Sequence, residues 1–204
     1  MRFAKIRLMP IKLAKLLSII FEPFTVSFMA LLLVVNSLNL NSEGKLFWFI
    51  TAIVLGGFPP IMVLLYEKKI GKIHDWFMTN RLERRDVLVA WFFGSGLFLI
   101  VANLLSAPRL LLALSLTMLL VSLLVTFATF FWKVSVHMVG VNLFVLLLLL
   151  VYSANFLWLV ILIPLVAWAR ITLHAHTLSQ VTVGSILTIV ITYLVFSLFG
   201  LATF

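Results

Sequence analysis

Cysteine is absent from this chain of 204 residues, and only six residues are Asp or Glu. The absence of cysteine excludes a disulfide framework, a thiolate nucleophile and a cysteine-ligated metal site. No Asp or Glu follows Asp86. Chemistry in the later part of the chain therefore has to work without a local carboxylate, and a carboxylate partner has to come from the earlier loops.

Charged residues are also scarce: they make up 10% of the chain, whereas 64% of the residues are hydrophobic and the mean hydropathy is +1.26. Soluble domains contain about 25% charged residues, so this composition indicates an integral membrane protein. The apolar runs are continuous over about twenty residues, which excludes the alternating strands of a β-barrel. We therefore expect an all-α, polytopic transmembrane helix bundle.

The net charge of +9 does not indicate a nucleic-acid partner. The Lys and Arg residues crowd into segments that flank the apolar runs, where anionic membrane lipid is the simpler partner.

The first 18 residues combine regularly spaced Lys and Arg with apolar residues, a pattern that predicts an interfacial amphipathic helix broken at Pro10. A cleaved signal peptide is the competing interpretation, but no small-residue cleavage site follows the apolar run. We expect residues 1–18 to be retained and residues 19–204 to form a single transmembrane domain.

Seven apolar segments follow, and a spanning helix needs about twenty residues. They cover 19–38, 46–66, 87–105, 109–132, two segments within 135–169 that meet at a turn over 153–155, and 181–204. The two segments within 135–169 are short, so six to seven spans are predicted. Gly56, Gly57, Pro59 and Pro60 predict a kink or local unwinding in the second segment.

Counting the segments places the N-terminus, the 67–86 loop and the corners 132–137 and 170–180 on one face of the membrane. That face carries every Lys and Arg of the fifteen except Lys45 and Arg109. Cytoplasmic loops are enriched in these residues, so we expect this face and the N-terminus to be cytoplasmic, in the plasma membrane.

Three polar clusters lie on that face: 72–85 (KIHDWFMTNRLERR), 133–137 (KVSVH) and 170–180 (RITLHAHTLSQ). Ionisable side chains are costly beside hydrocarbon, so their presence next to apolar runs indicates a functional site. The first cluster read alone is also compatible with a solvated loop whose cations follow topology and touch lipid headgroups.

The order of these clusters resembles the type 2 phosphatidic acid phosphatase superfamily of membrane lipid phosphatases. Arg170, His176 and Gln180 reproduce the spacing Arg-x5-His-x3-Asp, with glutamine where the family has aspartate. The sequence from His176 to Gln180 is similar to a bacterial branch that has Thr-x-x-Gln after the histidine. Ser135 and His137 stand where the family has Ser-Gly-His, with valine in place of the glycine.

The first cluster is similar to the Lys and Arg signature of the family, at a longer spacing. The resemblance implies a phosphate-binding set of Lys72, Arg81, Arg84, Ser135 and Arg170. Guanidinium groups suit this role because their paired N–H groups bind two phosphate oxygens at once.

The resemblance also implies a metal-independent mechanism without a cofactor. His176 would attack phosphorus to form a phosphohistidine, and His137 would protonate the leaving group. Gln180, one helical turn after His176, would accept a hydrogen bond from the imidazole and select its tautomer, but cannot supply charge. The implied substrate is a lipid or isoprenoid phosphate or diphosphate with its headgroup at the membrane surface.

Alternative functions remain open at this point. A neutral Gln180 is compatible with a catalytically weak lipid-phosphate binding or transport protein of the same fold, and a lipid phosphotransferase would use the same residues. His174 and His176 could also form a metal pair, although a site without nearby carboxylates or cysteines is a poor one. We expect His174 to have no role in the chemistry.

Overall fold

The computed structural model of the chain describes residues 2–76, 78 and 80–202, with the backbone alone for 2–9; these residues form helices and no β-strand. The α-helices are α1 (Arg2–Ile20), α2 (Pro23–Ser37), α3 (Ser42–Ala52), α4 (Phe58–Lys69), α5 (Arg85–Leu104), α6 (Arg109–Phe131), α7 (Val136–Val151), α8 (Leu162–Thr172) and α9 (Leu178–Leu198). Ile53–Gly57 is a π-helical stretch, and Leu82–Arg84 and Ala154–Ile161 are 3-10 helices. The predicted all-α fold is confirmed.

Five stretches within the described residues are long and apolar enough to cross a membrane. They are Ser42–Lys69, Leu82–Leu104, Arg109–Phe131, Ala154–Thr172 and Leu178–Leu198. Pro10–Ile20 and Pro23–Ser37 pass the same test only together and are bent by 46°, while α7 is a shorter apolar helix. The predicted polytopic bundle is confirmed; where the sequence predicted six to seven spans, five helices of the described part are long and apolar enough to cross a membrane, or six if the bent pair is one span. The last predicted segment extends to residues 203 and 204, which lie outside the described residues.

The predicted break at Pro10 is wrong, because α1 continues through this residue. Proline removes one backbone hydrogen bond, and a helix can absorb that loss when the residues on either side stay bonded. α1 packs against α8, and Ala14 and Ser18 are buried. Of the cations predicted for the first helix, Lys12 and Lys15 are exposed, whereas those within residues 1–9 have side chains outside the described part of the chain.

The chain forms two compact units. The first unit comprises the described residues of Met1–Ala30 and Val134–Val190, and its core contains Met138, Val141, Val145, Val166 and Val181. These side chains come from α7, α8 and α9, which bury one another's apolar faces. The predicted division into residues 1–18 and 19–204 stays a prediction.

The second unit comprises the described residues of Leu31–Lys133 and Ile191–Thr203. α5 and α6 form the predicted hairpin, with Ser106 in the left-handed conformation (φ 51°) at the turn and the Ala107 N–H bonded to the Ala102 carbonyl at 2.8 Å. Deeper in the hairpin, the buried Thr126 hydroxyl donates to the Leu88 carbonyl at 3.1 Å.

The predicted disturbance in the Gly-Gly and Pro-Pro segment is the π-helical stretch. The Leu55 carbonyl would receive the N–H of residue 59 in an α-helix or of residue 60 in a π-helix, and both are prolines without an N–H. That carbonyl faces α5 at Gly94, where an added Cβ would lie 2.7 Å from the Leu55 oxygen. Glycine at 94 therefore permits the close approach of the two helices.

Gly94→Ala is expected to destabilise the protein by about 1–3 kcal/mol, because its Cβ cannot fit against a backbone carbonyl. Gly96→Ala is the matched control in the same helix, since its Cβ would meet only the Leu119 Cδ1 atom at an ordinary 3.5 Å. The check is thermal unfolding of both purified variants in detergent. Equal melting temperatures for Gly94→Ala and the wild type would contradict the close approach.

Candidate functional site

The corner between α8 and α9 begins with a Schellman-type helix end. The Ala175 N–H donates to the Arg170 carbonyl at 3.1 Å, and the His174 N–H donates to the Ile171 carbonyl at 2.9 Å. His174 has the left-handed conformation that this motif requires (φ 52°), and its side chain is exposed. His174 therefore has a structural place as the helix-ending residue, in keeping with the expectation that it takes no part in chemistry.

α9 begins with a capping box that starts at Thr177, three residues after His174. The Gln180 N–H lies 3.4 Å from the Thr177 hydroxyl, and the Thr177 N–H donates to Gln180 Oε1 at 3.2 Å. This reciprocal pair satisfies donors that a helix start otherwise leaves unbonded. The Schellman end and the capping box together bring the spacing Arg-x5-His-x3-Gln into one tight corner.

Gln180 also contacts the neighbouring histidine. Its Oε1 atom lies 3.1 Å from His176 Nδ1. The Thr177 N–H identifies the glutamine atom at this position as the oxygen, because the amide nitrogen would place two donors face to face. His176 Nδ1 therefore carries a proton, and in the neutral imidazole Nε2 carries the lone pair. The geometry agrees with the tautomer expected from the sequence.

The second cluster lies against this corner. The Ser135 N–H donates to the Gln180 carbonyl at 3.4 Å, and a Cβ at Gly184 would lie 3.0 Å from the Ser135 carbonyl oxygen. The glycine on α9 thus lets the start of α7 approach the backbone of α9. The second and third predicted clusters are therefore neighbours within the first unit.

Ser135 occupies the N-cap position of α7, yet its side chain makes no capping hydrogen bond. It is fully buried, and its hydroxyl has no hydrogen-bond partner among the described residues. A helix N-terminus attracts anions through its dipole and free N–H groups. The unused hydroxyl adds a donor at the place where an anionic oxygen would be stabilised.

His137 follows in the first turn of α7. Its Nε2 atom lies 3.3 Å from the carbonyl oxygen of Ser18 in α1. A carbonyl can only accept, so Nε2 carries the proton in this contact. His137, Arg170 and His176 are buried, with 5%, 3% and 6% of their surfaces exposed. Charged or titratable groups buried to this extent are typical of functional sites.

The first predicted cluster belongs to the second unit, where its lysine is held by carboxylates. Lys72 Nζ forms ion pairs with Glu67 and with Asp86. These hydrogen bonds, the one to Asp86 first, raise the pKa of Lys72 above its usual value. The positive charge of Lys72 is therefore already balanced by carboxylates of its own unit, which weakens its case as a phosphate ligand.

The two arginines of this cluster bind backbone carbonyls. Arg81 Nη1 donates to the Phe130 carbonyl at 2.9 Å, near the end of α6, and Arg84 Nη2 donates to the Met78 carbonyl at 3.0 Å. Nearby, the Arg85 guanidinium lies 4.4 Å from the centre of the Phe130 ring. A cation at a helix C-terminus is favoured by the helix dipole. These contacts give the cluster a structural role in fastening the loop to α6.

Several contributing residues were missed from the sequence. The Thr177-x-x-Gln180 pattern is a readable capping box and could have been found. Nothing in the sequence indicates that Glu67 and Asp86 both reach Lys72, or that Ser18 reaches His137. The contacts of Lys72 with Asp86 and of His137 with Ser18 join residues that are distant along the chain, and Glu67 reaches Lys72 across the end of α4.

Among the side chains that the structure describes, no three His, Cys, Asp or Glu residues come together as a metal-binding group. Comparison with models of known protein families, with curated proteins and with solved structures finds no match to this chain. The resemblance to the phosphatase family therefore rests on residue types and their spacing alone.

Proposed function

We propose that this integral membrane protein is a metal-independent phosphatase of the type 2 phosphatidic acid phosphatase kind. Its substrate would be a lipid or isoprenoid phosphate or diphosphate. The observation that carries the proposal is the buried corner of the first unit. There His176 is held in one tautomer by Gln180, and the unused Ser135 hydroxyl lies at the start of the neighbouring helix.

The chemistry follows from the tautomer. In the proposed reaction the lone pair of His176 Nε2 attacks phosphorus, a P–N bond forms, and the P–O bond to the leaving group breaks. Arg170 and Ser135 compensate the charge on the phosphoryl oxygens. In its imidazolium form His137 keeps its Nε2 proton on the Ser18 carbonyl and gives its Nδ1 proton to the departing oxygen. Water then attacks phosphorus and passes a proton to His137, and the P–N bond breaks, which releases phosphate and restores both histidines.

Gln180 serves both structure and chemistry in this scheme. Its single oxygen accepts from the Thr177 N–H and from His176 Nδ1, so the residue that starts α9 also orients the proposed nucleophile. An amide cannot offset the positive charge that develops on the imidazole during attack. We therefore expect the reaction to be slower than it would be with a carboxylate at position 180.

Phosphate binding is assigned first to Arg170 and Ser135. Lys72, Arg81 and Arg84 are implied by the family resemblance, but each already bonds to a carboxylate or a carbonyl of its own unit. The headgroup would lie at the membrane surface with its tail among apolar helices and membrane lipid. No nucleic-acid partner is part of the proposal.

A second candidate, a lipid-phosphate binding or transport protein, is favoured by the neutral Gln180. Binding needs only charge compensation by groups such as Arg170 and Ser135, whereas turnover also needs an activated His176. The substitutions below separate the two candidates.

His176→Ala is expected to slow phosphate release by about a thousandfold or more, because it removes the proposed nucleophile. The assay uses purified protein in detergent with phosphatidic acid, phosphatidylglycerophosphate and prenyl diphosphates, without added metal. His174→Asn is the matched control: it alters an exposed histidine two residues away and keeps a residue that tolerates the left-handed conformation. Equal release by the wild type and His176→Ala would contradict the proposal.

Gln180→Glu is expected to raise the rate about tenfold, because glutamate keeps the geometry of the capping box and adds a charge beside His176 Nδ1. The carboxylate also favours the protonated imidazole, so the acidic limb of the pH–rate profile should move to higher pH. Ser179→Glu, exposed on the same turn, controls for added charge at the helix start. An unchanged rate and profile in Gln180→Glu would show that the missing charge does not limit turnover.

We also propose that the N-terminus and the 67–86 loop face the cytoplasm of the plasma membrane, from the distribution of Lys and Arg. The chain has no cysteine, so single substitutions give clean labelling sites. Lys69→Cys and Glu43→Cys replace exposed residues predicted to lie on opposite faces. In intact cells an impermeant maleimide should label only Glu43→Cys. Labelling of Lys69→Cys alone would reverse the orientation.

A further inference from the structure

Hydroxyl groups buried in helices of this protein commonly donate to a carbonyl one turn earlier. Such bonds are made by Ser115, Thr117, Ser122, Thr129 and Thr188. This arrangement satisfies a polar side chain without help from another helix, which is the usual solution for Ser and Thr in apolar surroundings.

Ser18 in α1 departs from this pattern, as do Ser135 and Thr192. The residue is 1% exposed, and its Oγ has no hydrogen-bond partner among the described residues. A buried hydroxyl without a partner costs free energy and calls for a specific explanation. Its helix is firmly placed, because α1 packs against α8 and neighbouring Ala14 is fully buried.

The position of Ser18 suggests the explanation. In a continuing α-helix the Glu22 N–H would donate to the Ser18 carbonyl. It donates instead to the Ile19 carbonyl at 3.3 Å, and the Ser18 carbonyl, close to the end of α1, accepts from His137 Nε2 at 3.3 Å. The Ser18 hydroxyl is only a few covalent bonds from that carbonyl. It is therefore a buried, unused donor on the residue whose carbonyl contacts the proposed general acid.

We infer that Ser18 is a further substrate-binding residue, whose hydroxyl donates to a phosphate oxygen while its carbonyl positions His137. The hydroxyl and the carbonyl of Ser18 both belong to α1, a helix outside the three polar clusters. The ligand class rests on the proposed function. A hydroxyl suits it because hydrogen bonds to an anionic oxygen are stronger than neutral ones, and the bond would satisfy the buried donor.

The test compares the wild type, Ser18→Ala and His176→Ala in two measurements, made on full-length protein in detergent. One is the steady-state rate of phosphate release from the lipid phosphates above; the other is the rise in melting temperature on adding inorganic phosphate. Ser18→Ala should lower kcat/KM about ten- to hundredfold and weaken phosphate binding. Its melting temperature without phosphate should be unchanged or higher, because an unsatisfied hydroxyl has been removed.

Ser122→Ala is the matched control, because it removes a fully buried hydroxyl that already bonds to the Leu119 carbonyl. It should leave kcat/KM and phosphate binding unchanged. Wild-type kinetics and phosphate affinity in Ser18→Ala, with His176→Ala inactive, would overturn the role of Ser18 and leave the proposed function standing.

The two proposals can also fail separately in the other direction. Suppose that the wild type releases no phosphate but binds it, and that Ser18→Ala weakens this binding. That result would support the contact between Ser18 and phosphate and would overturn the proposal that the protein is an enzyme. A wild type that neither releases nor binds phosphate would overturn both.

Discussion

Polar groups surrounded by hydrocarbon have only each other as partners, and this constraint decides where reactive side chains lie in this protein. Helix ends are the places where it acts most strongly, since each end leaves several N–H or carbonyl groups unbonded. At the corner between α8 and α9 the chain provides hydrogen-bond partners for two helix ends within a few residues. A left-handed His174 ends one helix, and Thr177 with Gln180 starts the next. His176 is enclosed between these two devices, which is why its ring is both buried and oriented.

The same constraint explains two other features, the close approach of two helices at Gly94 and the hydrogen bonding of buried hydroxyls. The prolines after the π-helical stretch leave the Leu55 carbonyl without a helical donor, and Gly94 lets another helix come close enough to cover it. Several buried serine and threonine hydroxyls bond to a carbonyl of their own helix, whereas those of Ser18, Ser135 and Thr192 have no hydrogen-bond partner among the described residues. Two of these three lie next to His137: Ser18 through its backbone carbonyl, and Ser135 two residues earlier in the chain. Unsatisfied donors at that place are consistent with a site built for an anion.

Much of the fold could be predicted because it depends on local pattern. The apolar segments, the hairpin before Pro108 and the disturbance around Pro59 follow from hydropathy and from the missing N–H of proline. Pro10 was misjudged, since a single proline removes one hydrogen bond and the flanking residues continue the helix. Of the predicted site, the contact between His176 and Gln180 could be read from a spacing of one helical turn. The pairing of Lys72 with two carboxylates could not, because Asp86 comes from the start of another helix.

By itself, the sequence determined that this is an all-helical membrane protein, and it located one chemically promising stretch at residues 170–180. It could do so because hydropathy and helical spacing act over a few neighbouring residues. Only the tertiary structure decided which of the candidate groups lie together. It brought Ser135 to Gln180 and Ser18 to His137, and it joined Lys72 to Glu67 and Asp86. The physical reason is that hydrogen bonds and ion pairs between distant segments depend on how helices pack, and no local pattern encodes that packing.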